Sequence, residues 1–383
     1  MTMITPRTSY DVVVVGAGIV GLAHAYHALR RGLSVAVVEH NDRIAGASVR
    51  NFGHACMTAQ SGQALDYARA GRRHWLDLAG KAGFWAAPTG TTVLARHADE
   101  LAVMNEFAQA RGESAAVLLD RDTVLDRVPA AANGVVGGMH LPADLQVDPR
   151  TAAPQLAAWL ETQGVSFFWR TAATSFDTGL VRTSRGELRA GTTFITVNHD
   201  IDRLFPEVAE DINLQRCRLH MIKAAVPTRF PLTTPLFTGW SLLRYSGFET
   251  MPSLHRVAQR LHTAHPEYTA LDLHQMYTPQ PDGTLLIGDT HLREVTESPF
   301  QGEDGFTCLL EVTRELFGVN SIDVIERWQG VYASAPGREF LLREPLPGTH
   351  IVTVTTGIGM TTCMGLAESS VTAAFDPSTS FAV

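Results

Sequence analysis

The chain has 383 residues, 45% apolar and 18% charged, with a formal net charge of −8. This fits a globular protein with an ample core, is too long for one average domain, and carries no basic footprint for nucleic acid. Four scattered cysteines (Cys56, Cys217, Cys308, Cys363) form no C-x-x-C pair, which argues against a disulfide frame or cysteine zinc site and for reduced thiols in a cytoplasmic setting.

Val12–Val15 predicts a first strand. It runs into Gly16-Ala17-Gly18-Ile19-Val20-Gly21, a helix-like segment from Leu22 to Arg31, and a second strand, Val35–Val38, that ends on Glu39. Strand, glycine turn, helix, strand and carboxylate is the order of an adenine-dinucleotide site. Gly16 permits the tight turn, Gly18 lets the backbone approach a pyrophosphate, and Gly21 lets the helix pack on the strand. The pyrophosphate would lie at the helix N-terminus, where unpaired N–H groups and the helix dipole favour negative charge. Ile19, Val20 and His40 are grouped with these cofactor-binding positions. Glu39, 18 residues after Gly21, is expected to accept both ribose hydroxyls. An acid there argues against NADP.

A loop from Asn41 to Asn51 leads to Phe52-Gly53-His54. Helical spacing marks Ala64–Ala79, with Gly80 as the expected stop. A strand at Gly90–Ala95, a helix at Asp99–Gly112 and a turn plus strand at Gly134–Leu141 follow. Asp148 is the expected N-cap, and Pro149 the first residue, of a helix that runs to about Gln163 and stops at Gly164. Next come a strand from Val165 to Arg170, a hairpin over Val181–Arg189, and short strands at Thr193–Val197 and Arg218–Val226. Met251–His262 reads as helix or loop. Leu273–Gly288 reads as strand-turn-strand, Gly302–Phe317 as a helix and His350–Thr355 as a strand. Gly357-Ile358-Gly359-Met360-Thr361 then opens a helix from Thr362 to Phe375. Met1–Thr8 are expected to be disordered. No apolar run approaches the ~20 residues of a membrane span, and no signal peptide is expected.

Dinucleotide strands first, mixed strand-rich material in the middle, and a closing strand-glycine-helix unit do not fit a chain of simple βαβ units. The expected fold is α/β (α+β, two-domain): a Rossmann-like domain from residues 9–85, 145–215 and 335–383, and a mixed or antiparallel-sheet domain from 86–144 and 216–334.

These residues resemble the flavoprotein amine oxidoreductases of the D-amino-acid oxidase superfamily, the branch with glycine oxidase and sarcosine oxidase. The resemblance rests on the glycine turn with Glu39, on Gly46-Ala47-Ser48 and Asn51-Phe52-Gly53, on Val147-Asp148-Pro149-Arg150, and on Gly357-Ile358-Gly359-Met360-Thr361. The string Ala47–Gly53 is similar to a sub-branch that accompanies phosphonate catabolism, whose members are thought to oxidise 2-aminoethylphosphonate or its N-methyl derivative. The resemblance implies non-covalent FAD lying across the first domain and a second domain covering the flavin. Ser48 and the backbone at Ala47 would bond the pyrophosphate, and Asn51, Phe52 and Ala173 would add contacts. Gly357, Gly359, Met360, Thr361 and Thr362 would face the flavin pyrimidine edge, where a helix N-terminus stabilises the charge gained on reduction.

An amine oxidoreductase of this kind needs little acid–base machinery. A neutral amine gives hydride from its α-carbon to flavin N5, and the imine hydrolyses to aldehyde. The protein holds the anionic tail and orients the C–H bond. Candidates for the flavin-facing wall are His220, Met221, Arg244, Tyr245, His274 and Tyr277. Substrate-binding candidates are Arg50, His54, Arg244, Tyr245, His274 and Tyr332; no metal ligands are expected. Two departures stand out. Glycine-oxidase-like chains commonly place an arginine in a Trp-x-Gly-x-Arg-Pro segment, where Trp328-Gln329-Gly330-Val331-Tyr332-Ala333 carries Tyr332 instead. Val197-Asn198-His199-Asp200 stands where a small residue and glycine are usual. The leading expectation is an FAD-dependent oxidoreductase of a small anionic amine, with oxygen or another electron acceptor. The alternatives are a glycine or sarcosine oxidase and a flavin-binding protein without turnover; a nicotinamide dehydrogenase ranks below them.

Overall fold

The structure, a computed structural model, describes residues 8–376. Most of the Met1–Thr8 segment therefore lies outside the described residues. The chain builds two large sheets and a small one. In the eight-stranded sheet, Ser9–Val15 lies between Val35–Val38 and Gly186–Ile195, parallel to both. Ser166–Phe168 extends the parallel core beyond Val35–Val38, and Thr349–Val354 extends it beyond Gly186–Ile195. Val12 to Val15 and Val35 to Val38 are buried throughout, which is why each reads as a continuous apolar run without alternation.

The nine-stranded sheet runs largely antiparallel around Gln215–Ala225. That strand is flanked along most of its length by Asp323–Ser334, from Gln215 opposite Ser334 to Ala225 opposite Asp323. A three-stranded sheet of His54–Ala55, Leu145–Val147 and Ala86–Ala87 sits apart from both.

Several expected boundaries move. Gly80 lies inside a helix that runs Gly62–Ala82; the residue that ends it is Gly83, in the left-handed conformation at φ 80°. The hairpin return and the short strand at Thr193 are one continuous strand, Gly186–Ile195, because its second half pairs with Ser9–Val15. Met251–His262 resolves as a helix, Leu254–Ala264. The closing helix starts at Gly359, earlier than expected. The Asp148 cap holds as expected, its Oδ1 accepting from Arg150 N at 3.0 Å with Pro149 at the first helical position.

The closing helix, Gly359–Phe375, packs on Gly62–Ala82 and on the opening helix, Ile19–Arg30. The approach is set by small residues. A Cβ on Gly365 would stand 2.1 Å from the Tyr67 carbonyl oxygen, and one on Gly71 would stand 3.2 Å from Met364 Cβ. Trp75 Nε1 donates to the Met360 carbonyl at 3.0 Å and fixes the first turn of the closing helix. Gly365→Ala is therefore expected to cost about 1–3 kcal/mol through forced separation of the helices. Gly80→Ala, exposed and with open space at its Cβ, is expected to stabilise by about 0.5–1 kcal/mol. Paired urea midpoints with unchanged slopes check both.

Candidate functional site

A cavity of about 410 Å³ lies between the two large sheets. One wall is the opening glycine turn (Gly16, Gly18, Ile19, Val20), with Glu39, His40 and the loop Gly46–Ser48 beside it. The opposite wall is Leu219 with Gln329–Tyr332 of the nine-stranded sheet. Thr196–Asp200 close one side, and Gly357, Gly359 and Met360 close the far end.

The local reasons are steric and electrostatic. Gly16 has φ 100°, and a Cβ there would lie 2.8 Å from the Thr196 carbonyl oxygen. A Cβ on Gly21 would lie 2.0 Å from the Gly16 carbonyl oxygen, so the helix could not follow the strand so closely. Glu39 Oε2 accepts from Ala17 N at 2.9 Å, and its Oε1 accepts from Asn41 N at 2.9 Å. These bonds hold the carboxylate in the cavity wall with acceptor capacity left for hydroxyls. Ser48 Oγ accepts from Ile19 N at 2.8 Å, which leaves the Ser48 hydroxyl proton free to donate to an anion at the helix tip. Asn51 braces this loop by donating to the Ala47 and Ser48 carbonyls and accepting from Gly53 N.

The closing helix presents a second tip to the same cavity. Its first residues, Gly359 and Met360, line it, and a helix leaves its opening N–H groups unpaired. Added Cβ atoms on Gly46 and Gly359 would meet nothing within 4 Å, so both backbones border open space. Two helix N-termini, a fixed carboxylate and two bare glycines make a cradle that fits an extended dinucleotide with a flavin at its far end. Thr361 and Thr362 differ from expectation. The Thr361 hydroxyl lies 3.7 Å from Cys56 Sγ, and the Thr362 hydroxyl donates to the Ile358 carbonyl within its own helix.

Asn198 accounts for the departure at Val197–Asp200. Its φ is 57°, a conformation that glycine takes freely and asparagine tolerates. Its Oδ1 also accepts from Ala333 N at 2.8 Å, a tie to the second sheet that glycine could not make. Nearby, Arg216 is buried and ion-paired with Asp202 at 2.6 Å and with Glu297 at 3.2 Å, pinning the rim.

Behind Tyr332 lies a buried polar layer. Arg244 donates to Tyr332 Oη at 2.8 Å and to the Thr356 carbonyl at 3.1 Å, next to the Gly357 turn. Burial opposes the Arg244 charge, but the Tyr332 oxygen and Asp289 outweigh it and hold its pKa above the ordinary value. Asp289 Oδ1 lies 3.0 Å from His274 Nδ1, and its Oδ2 is 3.5 Å from His291 Nε2. Burial raises the Asp289 pKa, yet His291, His274 and Arg244 together keep it below the usual carboxylate value. His274 Nε2 is buried with no hydrogen-bond partner. Tyr245 lies edge-on to His274, ring centroids 5.5 Å apart, and bonds toward Cys56; burial raises its pKa well above 10.

Of the expected substrate side chains, Arg244, Tyr245, His274 and Tyr332 thus come together, and sequence reasoning missed Asp289, which contacts His274 and His291 in the same layer. Arg50 lines the main cavity and also a neighbouring open one of about 800 Å³ bordered by Trp169 and Trp328. His54 is taken up elsewhere. Its Nε2 lies 2.6 Å from Thr91 Oγ1, which donates to the buried Asp144 at 2.6 Å. Burial lowers the His54 pKa to about 3, and burial raises that of Asp144 to about 6. His220 and Tyr277 face the Glu303–Phe317 helix, His220 edge-on to Phe306 and Tyr277 bonded to Thr313, because they alternate away from Leu219 and the cavity. Met221 packs by Gly288, near Phe52. Ala173 pairs with Thr183 and is not among the cavity-lining residues; the backbone that reaches the acid is Thr171, whose N–H donates to the Glu39 carbonyl. No local pattern signals these sheet-face assignments, which follow from pairings distant in sequence.

The profile of the family described as DAO, FAD dependent oxidoreductase, matches residues 11–372. The tRNA 5-methylaminomethyl-2-thiouridine biosynthesis bifunctional protein MnmC of Burkholderia orbicola (strain MC0-3) is 33% identical over 156 residues, 37% of this chain and 24% of that protein. Glycine oxidase of Bacillus licheniformis is 24% identical over 189 residues, 46% of this chain and 50% of that one. The matches therefore span a quarter to a half of these relatives' own lengths. In fold, the crystal structure of glycine oxidase from Geobacillus kaustophilus superposes with a TM-score of 0.79 at 19% identity, covering 98% of this chain and 97% of that one.

Glu39→Gln is expected to weaken FAD affinity roughly 10- to 100-fold, the cost of charged hydrogen bonds lost at a ribose, and Ser48→Ala by about 5- to 10-fold. Fluorescence titration of the flavin-stripped protein with FAD measures both.

Proposed function

The chain belongs to the DAO family of FAD dependent oxidoreductases, and from that premise we propose that it oxidises a small anionic amine at its α-carbon. FAD, when bound, supplies the two-electron acceptor for the departing hydride. The residues here bind the tail of the amine, keep water out and manage one proton. The amine loses a hydride and a proton to become an imine; water then releases an aldehyde and the amine nitrogen.

The observation that carries this reading is Arg244. Its guanidinium is half-buried, bonded to Tyr332 Oη and to the carbonyl of Thr356, the residue before Gly357 at the end of the cavity. Tyr332 occupies the position where glycine-oxidase-like chains commonly carry arginine, so here a cation reaches the same place from a different segment. An arginine fork with an adjoining phenol suits an anion with several oxygens. Together with the Ala47–Gly53 string, this favours 2-aminoethylphosphonate or its N-methyl derivative. His274 is the candidate to take the ammonium proton: Asp289 orients its Nδ1, and its Nε2 lies buried without a partner.

A second reading, a glycine- or sarcosine-type oxidase, is supported by the glycine oxidase likeness and by the same Arg244, which could hold a carboxylate. Anaerobic mixing of the FAD-loaded protein with 2-aminoethylphosphonate, its N-methyl derivative, glycine and sarcosine separates the two by which amine bleaches the flavin. Bleaching by the phosphonates is expected; faster bleaching by glycine or sarcosine selects the second reading, and bleaching by none removes both. Arg244→Gln is expected to lower kcat/KM for the bleaching amine about 10- to 100-fold. In His274→Asn the amine must deprotonate in bulk water, so the low-pH limb of kcat/KM is expected to move toward the amine's own pKa. An unmoved limb excludes His274 as the base.

A further inference from the structure

Away from the cavity, three helices converge on a second cluster of polar side chains. His27 comes from the opening helix, His74 from Gly62–Ala82 and Glu368 from the closing helix. One donor atom of each lies within 4.8 Å of the others. His74 Nε2 stands 3.3 Å from Glu368 Oε2. That is the ligand-to-ligand edge of a tetrahedron with metal bonds of about 2.0–2.1 Å, roughly 3.3 Å. The imidazoles of His27 and His74 meet edge to face, with centroids 4.7 Å apart.

His27 is 4% exposed, and its Nε2 has no hydrogen-bond partner. The same ring bonds the Met364 backbone. A ring N–H held by a carbonyl leaves the other nitrogen with a directed lone pair, the state in which histidine binds metals. Glu368 is bonded through Oε1 to Arg73, at 3.0 Å, and through Oε2 to His74. Arg73 and Arg30 are the cations that oppose a bound ion.

We propose that His27, His74 and Glu368 form a three-ligand site for a divalent transition cation of the zinc type, with water as the fourth ligand. Two imidazoles and one carboxylate suit such an ion over magnesium or calcium, which take oxygen ligands. The ion would clamp three helices, two of which begin at the cofactor cavity, so the site is structural and independent of which amine is oxidised. The His27 to His74 to Glu368 separations follow no short metal-binding motif, which is why sequence spacing gave no sign of it.

The test is calorimetric titration of the full-length, FAD-loaded, chelator-treated protein with ZnCl2, with MgCl2 as control. One saturable zinc site per chain is expected, with no magnesium response. Its melting temperature should rise by roughly 3–6 °C at zinc a hundredfold above Kd. X-ray absorption at the zinc edge should report two imidazoles. Glu368→Gln, at a half-exposed position, is expected to keep its fold and flavin while binding zinc at least 10-fold more weakly, and His27→Leu is expected to abolish the site. If His27→Leu does not fold, His74→Gln takes its place beside Glu368→Gln. No saturable zinc binding to the wild type, or equal affinity in all folded variants, overturns the proposal.

Discussion

Two helix N-termini must point at one cavity, and most of the first sheet's arrangement follows from that requirement. The opening helix can aim its tip there only because Gly16 turns in a conformation that side chains resist and Gly21 lets the helix lie against the Gly16 carbonyl. The closing helix can do so only because Gly365 and Gly71 let it pack tightly against Gly62–Ala82 and Trp75 pins its first turn. Each tip concentrates partial positive charge where an anion or developing negative charge would sit. Glu39 is the counterweight, an acid fixed by the Ala17 and Asn41 N–H groups at the place where only hydroxyls need be met.

The first sheet was legible because its signals are local. The Val12–Glu39 unit and the Asp148-Pro149 cap each announce themselves within a few residues, and the structure keeps both. The second sheet was less so. Asp323–Ser334 is a long strand that sequence reading passed over, because its first half is largely exposed, mixes charged with apolar residues, and pairs with a strand about a hundred residues away. Which face a side chain takes depends on that distant register. His220 and Leu219 are neighbours in sequence, yet one faces a helix and the other the cavity. Gly80 misled for the opposite reason: glycine at a helix end is common, but nothing local separates a tolerated interior glycine from the capping one three residues on.

The polar layer behind Tyr332 holds opposite charges on Arg244 and Asp289, and enclosed charges of this kind are weak contributors to stability. Arg244 and Asp289 persist inside the protein because each is over-supplied with partners: Tyr332 and Thr356 for the cation, His274 and His291 for the anion. Replacing buried ion pairs by hydrophobic residues of similar volume is often neutral or stabilising. Where glycine-oxidase-like chains commonly carry arginine this chain has Tyr332, and Arg244 reaches its phenol from a different segment.

The walls of the cavity are drawn from widely separated stretches: residues 16–51, 196–200, 219, 297, 329–332 and 352–360. On the ribosome the opening glycine turn emerges long before the strand and helix that complete the far end. A cradle with both helix tips therefore exists only once segments about three hundred residues apart have folded against one another.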